Sequence, residues 1–215
     1  MTIFFVSSTD QATQANHEIA SQMLAQTDVA IFAADATRAR LHSELQTVPR
    51  NNLVFAMSHG SPNALWDAHG EEALSTGDAI NLPGYKIFCW ACHTAKELGQ
   101  SFAAHGSTWW GYDCAITAPD ARPPYSGVFR DILLTLKQSF PTGVDAASVA
   151  AVLAAVKTAC VNAETQLEEL GASDDDDAMS IYSCCNQIWQ HLCVWLAGQG
   201  QPIVHPDAPS SSIFG

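Results

Sequence analysis

Short apolar runs alternate with mixed, longer segments over the first half of the chain. Ile3–Val6, Val29–Ala33, Leu53–Met57 and Lys86–Trp90 are dominated by branched and aromatic residues, and Thr108–Ile116 carries Trp109, Trp110 and Tyr112. Such runs predict strands buried on both faces. Between them, Gln11–Leu24 follows a Ser/Thr/Asp turn and predicts a helix, as do Ala34–Leu45 and the stretch from Thr94 to Ala104. Residues 61–84, with Asn63, Gly70, Gly77 and Pro83, predict a long loop holding a small hairpin at Ala73–Leu82. The second half reads as helices at Phe129–Phe140, Ala146–Leu170 and Ala178–Leu196. Strands alternating with helices predict an α/β fold: a three-layer α/β/α sandwich with a mostly parallel central sheet and a helical C-terminal part.

The expected organisation is one domain over 1–200, helical from about residue 129, and an extended or mobile tail over 201–215 that carries three prolines and Ser210–Ser212. Asp174–Asp177 separates the last two helices. Four adjacent carboxylates repel one another and lack the spaced ligands of a calcium loop, so this segment is read as a solvated linker accessible to processing.

A formal net charge of -13, from 9 Lys plus Arg against 22 Asp plus Glu, repels phosphate backbones and anionic membranes alike. Neither nucleic acid nor a membrane is an expected partner. Met1–Phe5 lacks the basic flank of a secretory signal, which points to a cytoplasmic protein. The seven cysteines, at 89, 92, 114, 160, 184, 185 and 193, are irregularly placed and odd in number. They are not a secreted disulfide framework, and most are read as small buried hydrophobes.

Candidate chemistry sits where two apolar runs stop. Leu53–Met57 runs into Ser58-His59-Gly60, and Lys86–Trp90 runs through Ala91 into Cys92. Loops at the carboxyl ends of parallel strands converge on a crevice, so an imidazole and a thiol at two such ends are candidates for one site. A thiol becomes a useful nucleophile beside a base, and backbone N–H groups at Gly60 and Cys92 suit the oxygen anion of a tetrahedral intermediate. The bland alternative makes His59 a strand-end cap and Cys92 an apolar filler.

These residues carry a family resemblance. Ser58-His59-Gly60 and Ala91-Cys92 resemble the His-Gly and Ala-Cys boxes of caspase-like cysteine peptidases, and Trp90-Ala91-Cys92-His93-Thr94-Ala95 with Leu98-Gly99 is similar to the bacterial CHAT-domain style. Phe102–Tyr112 resembles the next helix, turn and strand of that clan, so the similarity covers about residues 1–140. The resemblance implies Cys92 as nucleophile, His59 as acid/base, Gly60 and Cys92 as oxyanion hole, and a 2-1-3-4-5-like strand order with room for an additional edge strand. It also implies a protein or peptide substrate, a separate activator or sensor protein, and a setting in bacterial defence or signalling.

Many relatives place a polar or acidic residue two before the cysteine, where this chain has Trp90. Asp113 is the candidate replacement, selecting Arg or Lys at P1. The rival is a small or apolar P1 residue lodged against Trp90, Trp109 or Trp110. No cofactor and no metal are expected. Cys89-Trp90-Ala91-Cys92 also fits a thiol-disulfide oxidoreductase, which is the alternative function beside a non-catalytic adaptor. With His93 the same stretch fits a haem attachment pattern or a three-ligand metal cluster, but the first needs export and the second a fourth ligand. His69-Gly70 repeats the dipeptide outside a strand end, and His105-Gly106 reads as a helix end.

Overall fold

The computed structural model describes residues 1–47 and 53–209. Ser210–Ser212 of the expected tail lie outside them. One parallel sheet is built from β1 (Thr2–Val6), β2 (Val29–Phe32), β3 (Leu53–Met57), β6 (Lys86–Trp90) and β7 (Thr108–Tyr112), with β4 (Ala64–Trp66) and β5 (Glu72–Ser75) forming a separate hairpin. A last strand, β8 (Leu192–Trp195), pairs antiparallel with β7, so the sheet order is β2-β1-β3-β6-β7-β8. The helices are α1 (Gln11–Ser21), α2 (Arg38–Thr47), α3 (Glu97–Ala104), α4 (Tyr125–Ser139), α5 (Ala146–Glu169) and α6 (Ala178–Gln190).

Strand alternation sorts the side chains into two cores. Phe4, Phe55, Phe88, Trp110 and their partners face α1, α4, α5 and α6. Ile3, Val54, Ile87, Cys89 and Trp109 face α2, the hairpin and α3. The expected three-layer arrangement with a mostly parallel sheet is therefore present. Within the first core, Phe4, Phe55, Phe88 and Trp110 occupy one row of register partners across four strands. Ring centroids lie 5.3 Å apart for Phe4–Phe55 and 4.5 Å for Phe55–Phe88, and Phe140 closes over Phe55, Phe88 and Trp110. α5 is long and apolar enough to span a membrane by length and composition; here its apolar side packs against α4 and α6.

Several expected boundaries differ. Residues 192–195 extend the sheet rather than the last helix, because Leu192, Cys193, Val194 and Trp195 are all buried and pair with Tyr112 to Trp109. The hairpin spans 64–75, and 76–81, expected within it, is a 3-10 turn. The cysteine loop enters α3 only at Glu97: His93 has φ 62, which interrupts helical progression. The tail is tied down as far as Asp207, through Ile203 paired with Val194, His205 edge-on to Trp189 at 5.4 Å and Asp207 paired with Lys157 at 2.5 Å.

Asp174, Asp176 and Asp177 are exposed, as expected, and Asp175 is partly buried. Arg122 reaches Asp175 at 3.0 Å and Asp177 at 3.2 Å while also holding Asp120, and the Tyr125 hydroxyl donates to Asp175 at 3.3 Å. Four like charges are tolerable because one guanidinium gathers two of them.

Asp28 joins three elements. It accepts from the N–H groups of Thr2 and Ala25 and pairs with Lys137 of α4 at 2.6 Å. Burial alone would raise its carboxyl, but Lys137 and the two N–H groups outweigh burial and hold it below the ordinary value. A carboxyl lowered in the folded state stabilises above its unfolded value of about 3.9, and that stabilisation is lost as pH falls through the lower folded value. Asp28→Asn is expected to cost about 3–5 kcal/mol at pH 7 by leaving Lys137 buried without its partner. Denaturant titrations at pH 7 and pH 3 should show a shallower acid dependence in the variant than in the wild type.

Candidate active site

The site assembles at the carboxyl edge of β1, β3 and β6. Met57 and Trp90 are register partners, so His59 and Cys92, each two residues further on, leave the sheet at matched heights. The Ser58 N–H donates to the Trp90 carbonyl at 3.2 Å, and the Ser58 side chain links to Ser7 at the end of β1 at 2.6 Å and donates to the Trp66 carbonyl at 2.7 Å. Ser58 thus ties the loop to both neighbouring strands and to the hairpin.

Gly60 is where the two loops touch. A Cβ there would lie 2.7 Å from the Cys92 carbonyl oxygen, 2.6 Å from Thr94 Cγ2 and 2.9 Å from Ala91 Cβ, so any side chain would push the loops apart. Its pairing with Leu65 is carried by the neighbouring groups, Ser61 N–H to Ala64 O and Trp66 N–H to His59 O. The Gly60 N–H is not spent on the hairpin. Among the described residues, neither it nor the Cys92 N–H donates a hydrogen bond.

His59 is half exposed, and its Nε2 lies 2.6 Å from Asp10 Oδ2. Asp10 divides its oxygens: Oδ1 caps α1 by accepting from the Thr13 N–H at 2.9 Å, and Oδ2 serves His59. The Thr13 N–H is the main reason its carboxyl stays below the ordinary value, with His59 adding to it against partial burial. Asp10 is the residue that sequence reasoning missed. The Ser/Thr/Asp turn that holds it predicts a helix start, and the same turn also follows the strand next to β3.

Cys92 is partly exposed, and its Sγ accepts from the Ile116 N–H at 3.4 Å. No hydrogen bond joins it to His59 among the described residues. His93 holds the turn: its N–H donates to the Cys114 carbonyl at 3.0 Å and its Nδ1 to the Asp113 carbonyl at 3.2 Å. The segment after β7 therefore braces the cysteine loop from below and supplies a donor to the thiol.

Three expected pocket residues are elsewhere. Trp90 lies edge-on to Tyr112 at 4.9 Å, Trp109 packs on Phe102 at 5.0 Å, and Trp110 packs on Phe140 at 6.3 Å. All three are core side chains and form no open wall. Asp113 is half-buried and faces His191, with Nδ1 at 3.7 Å from Oδ1. His191 is the main reason its carboxyl is held low, while Asp113, and after it Cys114, push the imidazole up to about 10. The charge its carboxylate faces is thus an imidazole of the fold and not a substrate cation. His69 and Gly70 lie in the hairpin turn that follows β4, where the sequence predicts a polar segment without a strand, whereas His105 ends α3, as expected.

A cleft of about 740 Å³ opens beside Asp10, between α1, residues 117–123 and the start of α6. Asp10, Glu18, Asp120 and Asp177 line it against the single cation of Arg122. Thr117, also on its wall, follows the residue whose N–H meets Cys92 Sγ.

Of the seven cysteines, 89, 160, 184, 185 and 193 are buried and only Cys92 and Cys114 are partly exposed. A disulfide exchange reagent added to the chelator-treated, folded protein should therefore titrate two fast thiols, and one in Cys92→Ala. A fast count near seven would contradict the packing. Neither the protein-family models nor the curated proteins compared with this chain match it.

Proposed function

We propose that the chain is a cysteine peptidase of caspase-like, CHAT-like type that hydrolyses peptide bonds of a protein substrate. The observation that carries this reading is the junction of two strand-end loops: His59, held by Asp10, and Cys92 leave the sheet at matched register with Gly60 seated on the Cys92 carbonyl. The strand order of the five parallel strands is in keeping with it.

In this mechanism the Cys92 thiol passes its proton to His59 as Sγ attacks the scissile carbonyl carbon. The tetrahedral oxygen anion is received by the N–H groups of Gly60 and Cys92, both uncommitted within the described residues. With Nε2 on Asp10, His59 keeps Nδ1 for proton transfer. It protonates the amine as the C–N bond breaks, leaving a thioester on Cys92. It then takes a proton from water, whose oxygen attacks the thioester, and the carboxylic acid and free thiol are released. An apo site whose catalytic hydrogen bonds are open accords with a thiol and imidazole that meet fully only around substrate.

Basic segments are the favoured substrates. The carboxylates of Asp10, Glu18, Asp120 and Asp177 outnumber the one cation of the cleft, and the whole chain carries -13. This assigns the selectivity for Arg or Lys to the cleft instead of to Asp113. The protein would act within a cell on a dedicated substrate, under a separate activator.

The disulfide-exchange alternative needs Cys89. That thiol is fully buried within β6 on the α2/α3 side of the sheet, and burial pushes it up to about 12, the wrong direction for an exchanging thiol.

The test is cleavage of a fluorogenic peptide library with basic, acidic and apolar P1 residues. Cys92→Ala should abolish cleavage, His59→Ala should lower kcat/KM by about 10²–10⁴-fold, and Cys89→Ser should leave it unchanged with no disulfide reductase activity in either form. Arg and Lys peptides should lead, by a margin that shrinks with added salt. Cleavage that survives Cys92→Ala would overturn the reading. So would a total lack of cleavage together with no labelling of Cys92 by electrophilic peptides, which would favour a non-catalytic adaptor.

A further inference from the structure

A second cluster lies one strand away, at the junction of β7 and β8. The antiparallel pairing puts Gly111 opposite Cys193 and Tyr112 opposite Leu192. The same register continued by one residue sets Asp113 opposite His191, close enough for their side chains to meet. Cys114 follows directly. One carboxylate oxygen, one thiol sulfur and one imidazole nitrogen from these three residues all lie within 4.8 Å of one another, and each residue is only partly buried.

Asp113 Oδ1 is the telling atom. It is buried and has no hydrogen-bond partner, the nearest cationic nitrogen being His191 Nδ1 at 3.7 Å. A buried carboxylate oxygen without a partner is costly, and native folds usually satisfy such an atom with protein, water or an ion. Nothing in the peptidase reading uses these side chains.

We propose that Asp113, Cys114 and His191 form a binding site for one divalent transition-metal ion, with zinc the ion its chemistry fits best. A thiolate, an imidazole and a carboxylate are the donor set of a borderline-soft ion, whereas calcium and magnesium take oxygen donors throughout. Three protein donors leave a fourth position for water or another ligand. Cys114 binds as thiolate and His191 as neutral imidazole, and both protons go to solvent, so binding weakens as pH falls.

The ion would act as a clip. Its donors join the carboxyl end of β7 to the start of β8, and the clipped segment is the one whose Cys114 carbonyl receives the His93 N–H at 3.0 Å and whose Ile116 N–H reaches Cys92 Sγ at 3.4 Å. Metal occupancy would thus stiffen the brace beneath the cysteine loop. Neither Cys92 nor His59 is a ligand, so this proposal stands independently of the peptidase reading.

The test uses the untagged full-length chain, stripped with a chelator and kept in a non-thiol reductant, titrated with cobalt(II) and then zinc(II). One cobalt per chain should bind, with a thiolate-to-cobalt charge-transfer band in the near ultraviolet that zinc then displaces. Zinc should also raise the melting temperature. Cys114→Ser, a one-atom change, should remove both the band and the zinc-dependent rise. Asp113→Asn and His191→Ala should weaken cobalt binding by at least about 10–100-fold, the loss that even outer-shell partners of a metal produce. Cys92→Ala and His59→Ala should retain the band. Absence of the band in the wild-type chain, its survival in Cys114→Ser, or its loss in Cys92→Ala would each overturn the proposal.

Discussion

The register of the central sheet is the constraint on which everything else rests, and the aromatic row Phe4–Phe55–Phe88–Trp110 is what pins it. A slip of one residue in any of these strands would turn its row to the other face and exchange core side chains between the two layers. It would also move a strand end by about 3.3 Å, the rise of one residue, enough to separate loops that now touch. The candidate site inherits its geometry from the core: Met57 beside Trp90 places His59 and Cys92 at one height, and Val6 beside Met57 places Ser7 and Asp10 within reach of the same loop.

Above the sheet edge, small groups decide the chemistry. Gly60 admits the Cys92 carbonyl where a methyl group would not fit, and the left-handed His93 turns the chain so that Cys92 stands at a corner before α3. Asp10 couples two tasks that are usually separate, capping α1 and holding His59. The two thiols of the Cys-x-x-Cys stretch meet opposite fates for the same reason. Cys89 is still a strand residue facing a packed layer, whereas Cys92 lies beyond the last ladder pair.

Much of the frame was legible in the sequence because buried strands announce themselves. Leu53–Met57 and Lys86–Trp90 were bounded to the residue, since each runs directly into Ser/His/Gly or Ala/Cys. β8 was hidden, because Leu192–Trp195 continues the apolar pattern of α6 and period alone does not separate a buried strand from the end of a buried helix. The three tryptophans were misplaced for a related reason: aromatic residues signal both strands and pockets, and only the register shows that Trp90, Trp109 and Trp110 point into packed layers. Asp10 and His191 were illegible as site residues because each meets its partner through the sheet order, across 49 residues for His59 and through the β7–β8 pairing for Asp113. Sequence spacing carries no trace of either.

The claim at the centre of this account is that His59, Gly60 and Cys92 surround a single reacting carbonyl. A crystal structure of the protein bound to a basic peptide aldehyde tests it most directly. The account predicts a hemithioacetal on Cys92 Sγ, with its oxygen about 3 Å from the N–H groups of both Gly60 and Cys92 and the His59 ring beside it, still bonded to Asp10. An adduct on a different cysteine, or one on Cys92 whose oxygen turns away from Gly60 with His59 out of reach, would contradict it.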